Sequence, residues 1–142
     1  LSAQLDKLDK DFEGETPTVR QILLAVGEAF MGTQAIVGER PERFACLMMM
    51  AYTQSQDHLR EYCSDRYGGT LGRFVTLLQA AAPTVDFMQF YWRMNFMLGA
   101  SLFTLSSFDS IISMLGKNPE EVTIDEMLKY LVPAMTGLLQ SE

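Results

Sequence analysis

An all-α domain of about six helices is predicted by three features of this 142-residue chain. Eighteen Leu, eleven Ala and ten Met stand against twelve Val plus Ile, a balance that favours helix over strand. Apolar residues recur at spacings of three and four in every long segment, and strict alternation is absent. Helix punctuation is also present, with Thr18 three residues before Gln21, Thr123 three before Glu126, and Pro41 at a first-turn position.

Taken in order, residues 1–13 read as the end of a helix with Leu1, Leu5, Leu8 and Phe12 on one stripe. After a break at Gly14 to Pro17, Val19, Ile22, Leu23, Val26 and Phe30 form the face of a second helix, closed by a loop holding Gly32 and Gly38. Pro41 opens a short helix whose middle, Phe44 to Tyr52, has no polar residue beyond Cys46, so it is expected to be central and buried nearly all round. Residues 57–82 make a longer helix stopped by Pro83, with Leu59, Tyr62, Leu71, Phe74, Val75 and Leu78 directed inward. Gly68, Gly69 and Gly72 fall within it and mark either a break or a place that needs room.

The next predicted helix, residues 86–115, carries Phe87, Phe90, Tyr91, Met94, Leu98, Leu102 and Leu105 on one side. Trp92, Phe96, Gly99 and Phe103 lie on the other. Two apolar faces need two things to pack against, so a partner subunit or a ligand is implied. Residues 123–139 hold helical spacing through Ile124, Met127, Leu128, Leu131, Met135, Leu138 and Leu139, and Pro133 is expected to interrupt and kink them. These last two helices are the candidates for a homodimer interface, through Phe90, Met94, Leu98, Leu102, Leu105, Met127, Leu128, Leu131 and Met135.

Eleven basic against eighteen acidic residues leave a net charge of -7, too acidic for the chain by itself to neutralise a DNA backbone. The longest uncharged stretch, residues 94–108, is too short and too polar to span a bilayer, and no membrane association is expected. Cys46 and Cys63 belong to no CxxC or Cys/His cluster, which points to a reducing cytoplasm. The chain starts at Leu1 without an initiator Met or a signal-type segment, so it reads as processed or as a fragment.

Catalytic signals are missing from the sequence. The one histidine, His58, stands beside Asp57 at a helix start, where a solvated or capping role is the ordinary one. No HExxH, EF-hand loop, GxxxxGK[ST] or GxGxxG occurs, so neither metal nor cofactor is expected and an enzyme is not. Soft apolar material is abundant instead: Met48, Met49 and Met50 adjoin, and Met88, Met94 and Met97 lie in or near the aromatic helix. These either fill the core or form a pocket for a long apolar ligand. The pocket reading gathers Met48, Met49, Tyr52, Tyr62, Trp92, Phe96 and Phe103, with Arg66 and Arg93 as anchors for a carboxylate head group. Intramolecular pairing of Arg66 or Arg93 with Asp65 or Glu61 is the plainer alternative.

The segments AYTQSQDHLREY from Ala51 to Tyr62, AAPTVDFMQFYWRMNFMLGA from Ala81 to Ala100, and LVPAM from Leu131 to Met135 together resemble the effector-binding and dimerisation half of a TetR-family transcriptional regulator. The resemblance covers residues 17 to 140 and is closest to the fatty-acid-responsive PsrA branch. It implies an Ω-like all-α body whose last two long helices pair with their mates in a dimeric four-helix bundle. It further implies a basic helix-turn-helix head before this region, absent from the sequence, which would bind operator DNA as half of a dimer. Leu1 would then be a point of truncation in the helix linking the two parts. A repressor responding to a long-chain fatty acid or acyl-CoA is the function implied. The alternative is a structural oligomerisation module without a ligand.

Overall fold

The computed structural model describes residues 2–12, 14–37, 41–54 and 57–140. They form seven α-helices and one short 3-10 turn, and no strand occurs among the described residues. Leu1 and Gly38 lie outside the described residues, as do the side chains of Phe30, Phe44, Tyr52 and Leu59.

The first helix, α1 (Ser2–Asp11), buries Leu5 and Leu8 and ends before Gly14, whose φ of 95° is the left-handed conformation that glycine adopts without penalty. Helix α2 (Val19–Val37) begins at the expected capping box. The Thr18 backbone N–H donates to Gln21 Oε1 at 2.8 Å, and the Gln21 N–H donates back to Thr18 Oγ1 at 3.3 Å. It runs through Gly32 instead of closing there, since one helical glycine costs only about 1 kcal/mol.

Helix α3 (Pro41–Thr53) buries Ala45, Met48 and Ala51. It is not buried all round as expected, since Cys46 and Met50 are exposed on its other side. Helix α4 (Asp57–Ala81) is one continuous helix of 25 residues, so the glycine cluster does not break it. Of its predicted inward set, Leu78 is buried and Phe74 half-buried, while Tyr62, Leu71 and Val75 are exposed. The larger core cluster meets this helix at its C-terminal part, and Cys63 is buried nearer its start.

The segment expected as one helix over residues 86–115 is two. Helix α5 (Phe87–Ser106) starts from Asp86, whose carboxylate accepts from the N–H groups of Met88 and Gln89 at 2.9 and 3.1 Å. At Ser107 the chain bends by 72° into α6 (Phe108–Met114). Ser107 leaves helical geometry there, at φ −106° and ψ 14°, while its N–H still makes the last helical bond to the Phe103 carbonyl, which also accepts from the Ser106 hydroxyl. Helix α6 ends in a Schellman motif, with Lys117 N–H on the Ile112 carbonyl, Gly116 N–H on the Ser113 carbonyl, and Gly116 at φ 71°.

After the 3-10 turn Pro119–Glu121, helix α7 (Ile124–Gln140) starts at the second capping box, in which Thr123 N–H meets Glu126 Oε2 and Glu126 N–H meets Thr123 Oγ1. Pro133 lies inside α7 without ending it. Buried side chains fall into two clusters. The larger unites α1, α2, the end of α4, the first half of α5, and Val132 and Leu139 of α7. The smaller joins Ala45 of α3 to Leu105, Phe108, Ile112 and Ile124. The bend at Ser107 is what turns Phe108 and Ile112 into it. No charged or polar residue is buried among those described.

Candidate functional site

Helix α5 sorts its apolar residues by direction. Phe90, Met97 and Leu105 point into the chain, with Met94 and Leu102 half-buried against the clusters. The opposite side presents Trp92, Phe96 and Phe103 to solvent at 53, 57 and 58% exposure, and Phe87, Met88 and Tyr91 in its first turns are also exposed. Tyr91 meets Trp92 edge-on at 5.7 Å between ring centroids, and Trp92 stacks on Phe96 at 6.2 Å. Gly99 and Ala100 lie exposed between these rings and Phe103. Helix α7, which packs on α5, exposes Tyr130 at 80% together with Pro133, Ala134 and Gly137. Each ring left in water forgoes about 25 cal/mol per Å² of apolar area, which makes this face of α5 a candidate interaction surface.

The expected ligand residues are not gathered at one place. Met48 is buried, Met49 is half-buried, and Tyr62 and Arg66 are exposed on α4. Trp92, Phe96 and Phe103 share the outward side of α5. Arg93 is half-buried and donates from Nη1 to the Leu139 carbonyl oxygen at 3.2 Å, a structural contact and not the predicted acid partner. Among the expected interface residues, Phe90 and Leu105 are 3 and 7% exposed, enclosed by their own chain. Met94, Leu102, Met127, Leu128, Leu131 and Met135 are half-buried, and Leu98 is exposed. Of the α5 stripe assigned to the partner, Phe90 and Leu105 are thus enclosed while Leu98 is open, and Trp92, Phe96 and Phe103, assigned to ligand, face outward. Both are apolar, so periodicity alone does not tell them apart.

Two clefts accompany these faces. One, of about 290 Å³, opens between α3 and α4, lined by Ala51, Arg60, Cys63, Ser64, Gly68 and Leu71. The other, of about 550 Å³, runs between α2 and α7 over Leu24, Gly27, Met31, Leu128, Val132 and Pro133, with Arg20, Glu28, Asp125 and Lys129 at its edges. None of the residues lining the first cleft was among the expected ligand residues, although Gly68 was marked as a place that needs room; of the second, Leu128 alone was among the expected interface residues. A groove between helices distant in sequence leaves no local signal. The Met48 end of α3 adjoins the first cleft through Cys63, whose thiol lies 3.6 Å from the Met48 sulfur. Among the described residues, no three His, Cys, Asp or Glu side chains come together as a metal-binding group. No single described helix is long and apolar enough to cross a membrane.

None of the curated proteins compared with the chain matches it. Residues 25–137 match the family described as tetracyclin repressor-like, C-terminal domain. That match runs from within α2 through most of α7 and takes in both faces, the first cleft and all of the second except Arg20 and Leu24. An all-α body with an aromatic outward face, matched over more than half its length, therefore belongs to the TetR-like C-terminal domain family.

Proposed function

We propose that this chain is the ligand-binding and dimerisation domain of a TetR-like, DNA-binding transcriptional repressor. In this reading two copies associate through the outward faces of α5 and α7. The exposed Trp92, Phe96 and Phe103 row carries that part, because a contiguous aromatic surface needs a cover and the family supplies dimers. The bulky row on α5 and the small residues Ala134 and Gly137 on α7 are of complementary size for close helix packing. The interface set is thereby revised toward these residues and Tyr130, with Leu98, Leu131 and Met135 at its edge.

An apolar effector, of the long-chain fatty acid or acyl-CoA class, enters between α3 and α4 beside Met48 and Met49. Methionine side chains repack at little cost, and an opening of about 290 Å³ already exists there. A helix-turn-helix domain joined ahead of α1 would read the operator in the cytoplasm. Effector binding would shift the population of head separations and release the DNA. The role is regulatory, with no catalytic step.

Sedimentation at micromolar concentration should give twice the chain mass. Native mass spectrometry after mild extraction, followed by a thermal-shift series over acyl chain length, tests the effector; no bound species and no chain-length dependence would remove it. One observation favours the alternative of a ligand-free oligomerisation module: Trp92, Phe96 and Phe103 face outward and line neither cleft. Dimerisation without any acyl-dependent shift would select that alternative.

A further inference from the structure

The groove between α2 and α7 is graded in charge along its length. The two helices run antiparallel: the start of α2 shares the larger core cluster with Val132 and Leu139, Met31 joins the smaller one with Leu128, and Gly27 faces Leu128 across the groove. Arg20, Leu24 and Glu28 follow at four-residue steps on the α2 wall, so they stand on one stripe with the two charges about 12 Å apart along the axis. On the α7 wall Lys129 and Asp125 repeat the order, the basic residue toward Arg20 and the acidic one toward Glu28. All four charged residues are exposed, and none forms an ion pair among the described residues. Between them Leu24 stands 41% exposed above Gly27, Leu128 and Val132.

We propose that this groove is a self-complementary docking surface for a second copy of the chain, separate from the α5–α7 interface. A face that is basic at one end, apolar in the middle and acidic at the other matches itself when turned end for end, which is the operation of a two-fold axis. With the axis at Leu24, the α2 helices of the two copies lie antiparallel. Arg20 then faces the partner's Glu28, Glu28 faces the partner's Arg20, and the groove beside Gly27 gives the two Leu24 side chains room to interlock. The register is fixed because each charge lies four residues from Leu24. A parallel arrangement would set Arg20 against Arg20 and Glu28 against Glu28, and like-charge juxtaposition of that kind excludes it. Three turns of helix make a patch smaller than stable complexes bury, so the contact is weak by itself. It joins two α5–α7 dimers into a four-chain assembly in which each chain offers one face to each neighbour.

Sedimentation of the whole chain from micromolar to millimolar concentration tests the surface. The mass should hold at two chains in the micromolar range and rise toward four above a concentration on the order of 100 μM, the range of a small interface. Molar salt should suppress the rise. In Phe96→Glu protein the same contact should carry the mass from one chain to two, so it is read apart from the α5–α7 interface. Arg20→Glu and Glu28→Arg each create two like-charged contacts by symmetry, and each should weaken the association at least about tenfold with unchanged helical circular dichroism. An equimolar mixture of these two variants should regain it, because every reversed side chain then faces an opposite charge, and the double variant should associate as the parent does. A mass that never exceeds two chains overturns the proposal. So do single variants that associate like the parent, or a mixture that fails to recover. A Phe96→Glu protein dimeric at micromolar concentration and dissociated by Arg20→Glu would support this surface and remove the α5–α7 one.

Discussion

Arg93 in the middle of α5 donates through Nη1 to the carbonyl oxygen of Leu139, 46 residues away in the last turn of α7, at 3.2 Å. That carbonyl belongs to the final four of the helix, which have no partner within it, and a guanidinium there also opposes the negative end of the helix dipole. Leu139 itself is fully buried, so the bond joins the two helices that carry the outward aromatic and small-residue faces. Arg93→Met keeps the apolar stem and removes the donor. It should destabilise the chain by about 1–2 kcal/mol in urea unfolding, below the upper range for charged hydrogen bonds because Arg93 is only half-buried.

Gly27 sets the spacing of α2 and α7. A Cβ built on it would stand 3.3 Å from Leu128 Cδ1. For Gly27→Ala, the gain of about 1 kcal/mol in helix propensity offsets a small displacement of Leu128, and stability should stay within about 1 kcal/mol of the parent. For Gly27→Val, the extra methyls overpack the same contact, and a loss of about 1–3 kcal/mol is expected. Pairing Gly27→Val with Leu128→Ala in a double-mutant cycle should recover part of that loss.

The glycines of α4 answer differently. A Cβ at Gly69 or Gly72 meets nothing within 4 Å, and both residues are exposed within a continuous helix. Gly69→Ala and Gly72→Ala should each raise stability by up to about 1 kcal/mol, seen as a higher melting temperature. Gly68, not these two, lines the α3–α4 cleft, so acyl-ligand binding should be unchanged by either substitution while stability rises.

Charge placed on the two sides of α5 should have opposite consequences. Phe96→Glu and Phe103→Glu sit in solvent in the single chain, so they should convert the dimer to a folded monomer, with sedimentation at chain mass and unchanged helical circular dichroism. Phe90→Asp puts an unpaired carboxylate into the larger core cluster and should unfold the chain. A Phe96→Glu protein that remains dimeric would show that the interface lies elsewhere.

Both capping boxes were legible in the sequence because each closes over four consecutive residues, and both helix starts appear where Thr18 and Thr123 predict them. The boundary at Ser107 was not legible, since the apolar pattern continues across it from Leu105 to Phe108 and Ile112. A single non-helical residue at Ser107 changes the direction of the pattern without changing its period. The glycine cluster misleads in the other direction: three glycines weaken a helix but do not end it when the flanking turns hold.

The sequence by itself determined the helical class, the order of the long helices, their caps, and the resemblance that places the chain among TetR-like C-terminal domains. Tertiary structure decided which stripe of α5 turns inward, because periodicity groups residues on a face and only packing against α3 and α7 says which apolar face finds the core. It also decided that Met48 lies against Cys63, fifteen residues on, across two helices. Contacts of that kind depend on how one helix is laid upon another, which no local spacing records.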